Sequence, residues 1–342
     1  MVKQRYLFPL AFLIAFPGSA LRMTAQTFDA ARPIIRRTVD LVQLDVAVTD
    51  KKGHYISGLQ PWNFAVYEDG ILEKLDTFGE EDEAPQTVAE FSPRVDRRKS
   101  VKSDPILASS PGAGHSVFIL FDTSNYMYRG FVFAQDAIAE FVQSLDHRDR
   151  VAFYSYSRDL SRVCLLTSNR TRVLRAVRAT VAGDSAALYN SLLLTLEDAA
   201  QFSGRKVVVV FSNGPDNASV VAPENVLDLA QSEGVPIYMI SAQKGKVDPV
   251  SAVTFERVSA RTGGKAYSAR NWEDEQKAFA SIRDDLAHLY SLSYYPQPNP
   301  NRGWRKITVK LVGVHLKKYH IRTRSGYRPE AVRLAGEMIP TP

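Results

Sequence analysis

Two uninterrupted apolar runs constrain this chain most: Ser116-Val-Phe-Ile-Leu-Phe121, closed by Asp122, and Lys206-Val-Val-Val-Val-Phe211. A strand that is apolar on both faces needs cover on both faces, which is the situation of a parallel sheet with helices above and below. The neighbouring segments agree. Phe131 to Leu145 has helical spacing, with Phe133, Ala137, Phe141 and Leu145 on one stripe. Val151–Ser155 and Val163–Leu166 read as strands, Leu188–Phe202 as a helix, and Ile237–Ile240 as another strand. Pro223 to Glu233 reads as a helix, opened by Pro223 and stopped by Gly234 and Pro236. A short strand at Lys265–Tyr267 and a helix from Trp272 to Leu289 complete the series. Strands alternating with helices predict a doubly wound α/β domain with a mostly parallel sheet over residues 114–288.

The flanks follow a different period. Val42, Leu44, Val46 and Val48 alternate, and Asn63–Tyr67 and Leu72–Phe78 read as strands around the turn Glu68-Asp-Gly70. Beyond the α/β series, Leu289–Tyr295, Lys306–Val312 and Tyr319–Thr323 alternate in the same way. Three strands on one side cannot close a sandwich alone. The economical arrangement is one β-sandwich made from residues 38–80 and 289–328, with the α/β domain inserted; two independent small β units are the alternative. Residues 81–113, with Glu80–Glu83, Arg97–Lys99 and scattered prolines, read as a linker, and residues 329–342 as a tail.

Residues 1–25 carry Lys3 and Arg5, then an apolar run from Tyr6 to Phe16, then the small residues Gly18–Ala20 and Ala25. That order is expected of a signal peptide, and the run is short for a membrane span. An uncleaved amino-terminal anchor is the bland alternative. The predicted location is therefore secreted, periplasmic or at the cell envelope. The formal net charge of +6 falls to +3 once residues 1–25 are removed, so charge makes no case for nucleic acid. The lone Cys164 excludes an internal disulfide and a cysteine-based metal cluster, and is expected to be buried on a strand.

Ligands of doubly wound sheets sit beyond the carboxyl ends of the strands. Three loops belong there: Asp122-Thr-Ser-Asn-Tyr126, Gly183-Asp-Ser-Ala-Ala-Leu-Tyr-Asn190 and Ser212-Asn-Gly-Pro-Asp-Asn217. With this order of elements, the chain resembles the von Willebrand factor type A domain. The flanking Phe64-Ala-Val-Tyr-Glu-Asp-Gly70 and Arg324-Ser-Gly-Tyr327 resemble the related exported proteins of acidobacterial type. The resemblance implies a metal-ion-dependent adhesion site, in which Asp-x-Ser-x-Ser, a Thr and a further Asp hold Mg²⁺ or Mn²⁺ for a partner's carboxylate. Asp122 and Ser124 match that pattern, whereas Tyr126, Ala186 and Asn213 stand where Ser, Thr and Asp belong. Losing two hydroxyls and a charge predicts weak or absent metal at Asp122 and Ser124, with Asp184, Ser185 or Asp216 the residues able to compensate.

Other chemistry is not indicated. The six histidines lack ligand spacing, there is no Gly-x-Ser-x-Gly elbow, and adjacent Asp284 and Asp285 read as surface charge. Tyr294, Tyr295 and Trp304 read as sandwich packing or an aromatic patch. The expected function is a non-enzymatic, adhesion-type binding module for a protein or cell-envelope partner, with no required cofactor. A structural subunit of an envelope assembly, or a hydrolase using Asp122, are the alternatives.

Overall fold

The structure is a computed structural model that describes residues 41–80, 85–88, 114–127, 130–242 and 248–329. The expected signal peptide, nearly all of the 81–113 linker and nearly all of the 329–342 tail lie outside the described residues.

The two apolar runs form adjacent central strands. β6 (Ser116–Asp122) is buried along its whole length and pairs on one side with β9 (Lys206–Ser212), in register Ile119 with Val209. Its other neighbour is β7 (Arg150–Tyr156). With β8 (Leu160–Thr167), β10 (Ile237–Ala242) and β11 (Ala266–Ala269), the order is β11-β10-β9-β6-β7-β8. All neighbours are parallel except β8, which returns antiparallel on the edge. Side-chain alternation divides the core between two helical layers. Val117, Ile119 and Phe121 pack with α1 (Phe131–Ser144), α2 (Arg170–Ala179) and α6 (Trp272–Ala287). Phe118 and Leu120 pack with α3 (Leu188–Ala200), α4 (Pro223–Ser232) and α5 (Pro249–Thr262). Cys164 is buried on β8 as a small apolar residue.

The flanking strands form one sandwich drawn from both ends of the chain. One sheet holds β1 (Val42–Thr49), β4 (Leu75–Glu80), β5 (Gln86–Thr87), β12 (Tyr290–Tyr294) and β14 (His320–Arg322), ordered β14-β1-β12-β4-β5. The other holds β2 (Phe64–Glu68), β3 (Ile71–Glu73), β13 (Arg305–Leu311) and β15 (Gly326–Tyr327), ordered β15-β13-β2-β3. β12 lies between β1 and β4, and β13 beside β2, so each sheet mixes early and late strands. Val46, Val66, Phe78, Tyr290 and Leu292 lie in the shared core.

The two motifs that flank the α/β domain meet here. The buried Glu68 carboxylate accepts hydrogen bonds from Tyr294 (3.0 Å) and Tyr327 (2.9 Å) and an ion pair from Arg305 (2.8 Å). A buried carboxylate is tolerated only when its lone pairs are used in this way. Asp69 and Gly70 both take positive φ, which explains the Asp-Gly turn between β2 and β3.

Two sequence expectations need correction, and one helix has no counterpart among them. The strand expected over Leu72–Phe78 is two strands, since β3 and β4 lie in different sheets and the chain crosses over at Lys74. α2 carries little apolar signal, since its sequence, Arg-Thr-Arg-Val-Leu-Arg-Ala-Val-Arg-Ala, buries only Val173, Ala176 and Val177. Of the three aromatic residues, Tyr294 packs in the sandwich core as expected, while Tyr295 is half exposed. Asp285 is not surface charge. It is fully buried, paired with Arg322 on β14 and bonded by Tyr55 (2.6 Å) and Tyr238 (2.5 Å).

Asp285 belongs to the seam between sandwich and α/β domain. Ala47 on the outer face of β1 joins the α/β core, and Asp45 lies 3.5 Å from Arg205. Arg324 is buried and donates to the carbonyls of Gln231 on α4 and Gln43 on β1. Arg322 also donates to the Gly263 carbonyl; Arg205 and Gly263 lie just before β9 and β11, and Gln231 is near the end of α4. The sandwich therefore covers the pole where the parallel strands begin. The loops that follow those strands open at the opposite pole.

Candidate functional site

Asp122 is the last residue of β6, and the chain leaves the sheet there into the loop of Ser124 and Tyr126. The side chain has no solvent exposure. Its Oδ1 accepts from the Ser124 N–H at 2.8 Å, and its Oδ2 from the Ser212 hydroxyl at 2.8 Å. Tyr156 in turn donates to the Ser212 oxygen at 3.1 Å. Burial pushes the Asp122 pKa up, against the opposing pull of the hydroxyl and N–H donors.

The three sequence-predicted loops do converge. The Asn125 N–H donates to the Asp184 carbonyl at 2.8 Å, and the Gly183 N–H to the Thr123 carbonyl at 2.7 Å. The third loop closes on the second, where the Asn217 and Ala218 N–H groups both reach the Ala186 carbonyl. Tyr126 spans the first and third loops. Its main-chain carbonyl accepts from the Asn213 amide, and its hydroxyl lies 3.3 Å from the Asn217 amide. Tyr126 keeps 38% of its surface exposed, so the ring lies over the loops at the rim.

Asp216 serves a different purpose from the one expected. The residue before α3 is Ala187, which supplies no side-chain cap. Asp216 provides it from across the loop face, with Oδ2 accepting from the Tyr189 N–H (3.0 Å) and Oδ1 from Ala218 and Ser219 (3.2 and 2.9 Å). A carboxylate at the second N–H of a helix satisfies an orphan donor and meets the positive end of the dipole. Ser219 and Asn190 extend the contact, Ser219 Oγ accepting from the Asn190 N–H and Asn190 Oδ1 from Val220 and Val221. The sequence signal for this was the Asx- and Ser-rich run 213–219, legible as a turn but silent on which helix it caps.

These residues do not fit an octahedral hard cation. Among the positions that the resemblance marks, only the Asp122 carboxylate keeps a negative charge; the Ser124 hydroxyl and the Asn213 carbonyl are neutral oxygens, and Asp122 and Ser124 are fully buried. Ala186 has no side-chain oxygen, and Asn213 turns its amide to Tyr126. Asp216, a possible replacement, spends both oxygens on N–H donors, while Asp184 is exposed and joins the loops through its main chain. Ser185 lies half-buried between them. Among the described residues, no three His, Cys, Asp or Glu side chains are grouped to hold a metal.

A cleft of about 260 Å³ opens beside Thr123, lined among others by Ser155, Ser157, Ser161 and Thr180, and the Thr123 and Thr180 hydroxyls donate to the Tyr156 and Ala176 carbonyls. Gly183 is required there, because a Cβ would fall 2.5 Å from the Ser157 oxygen.

Residues 117–215 match the sequence profile of the von Willebrand factor type A domain. Similar solved structures include the conserved hypothetical protein BatB from Bacteroides thetaiotaomicron, at 14% identity over 51% of this chain and 97% of that one, with a TM-score of 0.40. A von Willebrand factor type A structure from Catenulispora acidiphila shows 11% identity over 63% of this chain and 67% of that one, TM-score 0.45. The vWF domain of the type V pili tip protein Mfa5 from Porphyromonas gingivalis shows 11% identity over 51% and 95%, TM-score 0.44. No curated protein sequence matches the chain.

Proposed function

We propose, from the premise that the α/β unit is a von Willebrand factor type A domain, that this protein is an exported, non-enzymatic binding module. It holds a protein or cell-envelope partner on the loop face without a bridging cation. The observation that carries this reading is the Tyr126 bridge: Asn213 and Asn217 reach Tyr126 directly, so side chains tie the loops together. The face so formed is rich in Ser, Thr and Asn, with the Tyr126 ring and the nearly bare Val220 at its rim. An aromatic ring beside amides and hydroxyls suits a partner contacted by hydrogen bonds and apolar packing.

The full burial of Asp122 counts against the hydrolase alternative that uses it, since its carboxyl would first have to be uncovered to exchange a proton with a substrate. Export rests on the order of regions in residues 1–25, and no helix among the described residues is long and apolar enough to cross a membrane.

The test is site-directed photo-cross-linking in the native cells, with the reactive group at exposed Asn125 and, as control, at Lys306 on the sandwich. The reading expects one envelope species at Asn125, captured equally with and without a chelator and lost in Tyr126→Ala. Capture that disappears with the chelator, or that occurs at Lys306 alone, contradicts it.

A further inference from the structure

The carboxyl-terminal part of the sandwich is charged with one sign. From Leu286 to Pro329 the sequence holds nine lysines and arginines and neither aspartate nor glutamate. The fold divides these cations into two groups. Arg305, Arg322 and Arg328 are ion-paired with Glu68, Asp285 and Asp228, and Arg324 is buried at the seam. Arg302, Lys306, Lys310, Lys317 and Lys318 are exposed, and among the described residues none of them is held in an ion pair. Asp69, at the turn beside Lys306, is engaged by the Lys306 N–H and by the amides of Asn299 and Asn301.

These cations share a surface with apolar groups. Lys306 and Lys310 alternate with the core residues Ile307, Val309 and Leu311, so they face outward from β13. Tyr67 pairs with Thr308 on the same face and Leu72 with Tyr67. The Lys310 ammonium lies over the Tyr67 ring, 4.9 Å from its centre. Where β13 ends, the Val312 N–H donates to the Asn63 carbonyl at 2.8 Å, which brings Trp62 alongside. Trp62 is 61% exposed and Val314, in the loop that follows, 87%. The other sheet of the sandwich meets the α/β domain through Ala47, so this surface lies on the far side of the sandwich from that contact.

We infer that this surface docks on a bilayer containing anionic phospholipid. Ammonium groups at the rim meet headgroup phosphates while their methylene stems lie along the apolar surface. Tryptophan settles at the boundary between headgroups and acyl chains, and Val312 and Val314 beside it add apolar area. A soluble polyanion would satisfy the lysines but would leave Trp62 and Val314 bare, so the combination selects a bilayer. Docked in this way, the molecule turns its loop face away from the lipid. The inference is independent of what the loop face holds.

The test is flotation of the full chain with vesicles of phosphatidylcholine alone and of phosphatidylcholine mixed with phosphatidylglycerol. The expected result is binding to the mixed vesicles only, weakening as salt is raised because exposed charges are screened. Lys306→Gln combined with Lys310→Gln should weaken binding by about ten-fold or more, since two charges leave the surface. Bromine-labelled lipid should quench tryptophan fluorescence, and Trp62→Phe should remove most of that quenching while the protein still floats. All three positions are exposed, and unchanged thermal unfolding verifies that the variants fold. In native cells a reactive group at Lys306 should take up phospholipid whether or not one at Asn125 captures a partner, so the two readings fail separately. Equal binding to neutral vesicles, quenching that survives Trp62→Phe, or dextran sulfate bound as tightly as the mixed vesicles overturns the inference. So does full binding by the double variant, as attachment through the apolar run Tyr6–Phe16 would give.

Discussion

The Asp122 carboxylate ends a core strand with no access to solvent, and its oxygens accept from the Ser124 N–H and the Ser212 hydroxyl. Burial raises its pKa, which means the fold favours the neutral form. For such a group the stabilising contribution is complete below the unfolded carboxylate range, and it is lost as pH rises through the higher folded value. Asp122→Asn removes the charge and keeps an acceptor. It should raise stability relative to the native chain at pH 7, with the gain shrinking toward pH 4, as measured by denaturant unfolding at both values. A loss of stability at pH 7 would mean that the negative charge itself is needed. Asp122, Ser124, Tyr126, Ala186 and Asn213 were singled out by the family resemblance, whereas position in the sheet alone showed only that their three loops gather past the carboxyl ends of the strands. The roles of Asp216 and Asp285 were legible in neither way. Each is set by a partner far away in sequence, Tyr189 for the first and Arg322 for the second.

Element by element, strong periodicity translated well and weak periodicity did not. β6 and β9 were evident because nothing but a covered strand accommodates their composition. α2 was not, since a basic helix with three buried residues differs little from a charged loop in sequence. β3 and β4 were read as one because a sheet change leaves no composition signal at Lys74. The start of α3 shows what elements gain from tertiary structure: it lacks a local cap and takes one from the loop after β9. Asp216→Ala should therefore destabilise the protein by about 1–2 kcal/mol, the usual worth of a lost N-cap. Hydrogen exchange should rise at Tyr189, Ala218 and Ser219 while the amides of β6 and β9 keep their protection. Uniformly faster exchange across the sheet would instead indicate that this clamp holds the whole domain together.

At the scale of the whole molecule, the sandwich closes one pole of the α/β domain and leaves the loop face free at the other. The seam is charged as well as apolar, and Asp285 is its centre, with Arg322, Tyr55 and Tyr238 all directed at it. Asp285→Ala strands Arg322 and should cost about 3–5 kcal/mol, as expected when one partner of a buried pair is removed. Asp285→Ala combined with Arg322→Ala should cost less than the sum of the two single changes, a non-additivity read by a double-mutant cycle in denaturant. The inserted arrangement was legible in outline because neither set of flanking strands could close a sandwich alone; the seam was not, because it depends on which face of β1 turns outward. With the seam holding the domain rigidly from one side, the account rests on the other pole being tied by Tyr126, Asn213 and Asn217 rather than by an ion. Calorimetric titration of the full chain with Mg²⁺ and Mn²⁺, paired with thermal unfolding in chelator, addresses this directly. The account expects no saturable heat and an unfolding midpoint unchanged by cation or chelator, since a ligand bound only to the folded state raises that midpoint. Saturable binding that stabilises the native chain and vanishes in Asp122→Ala would contradict it.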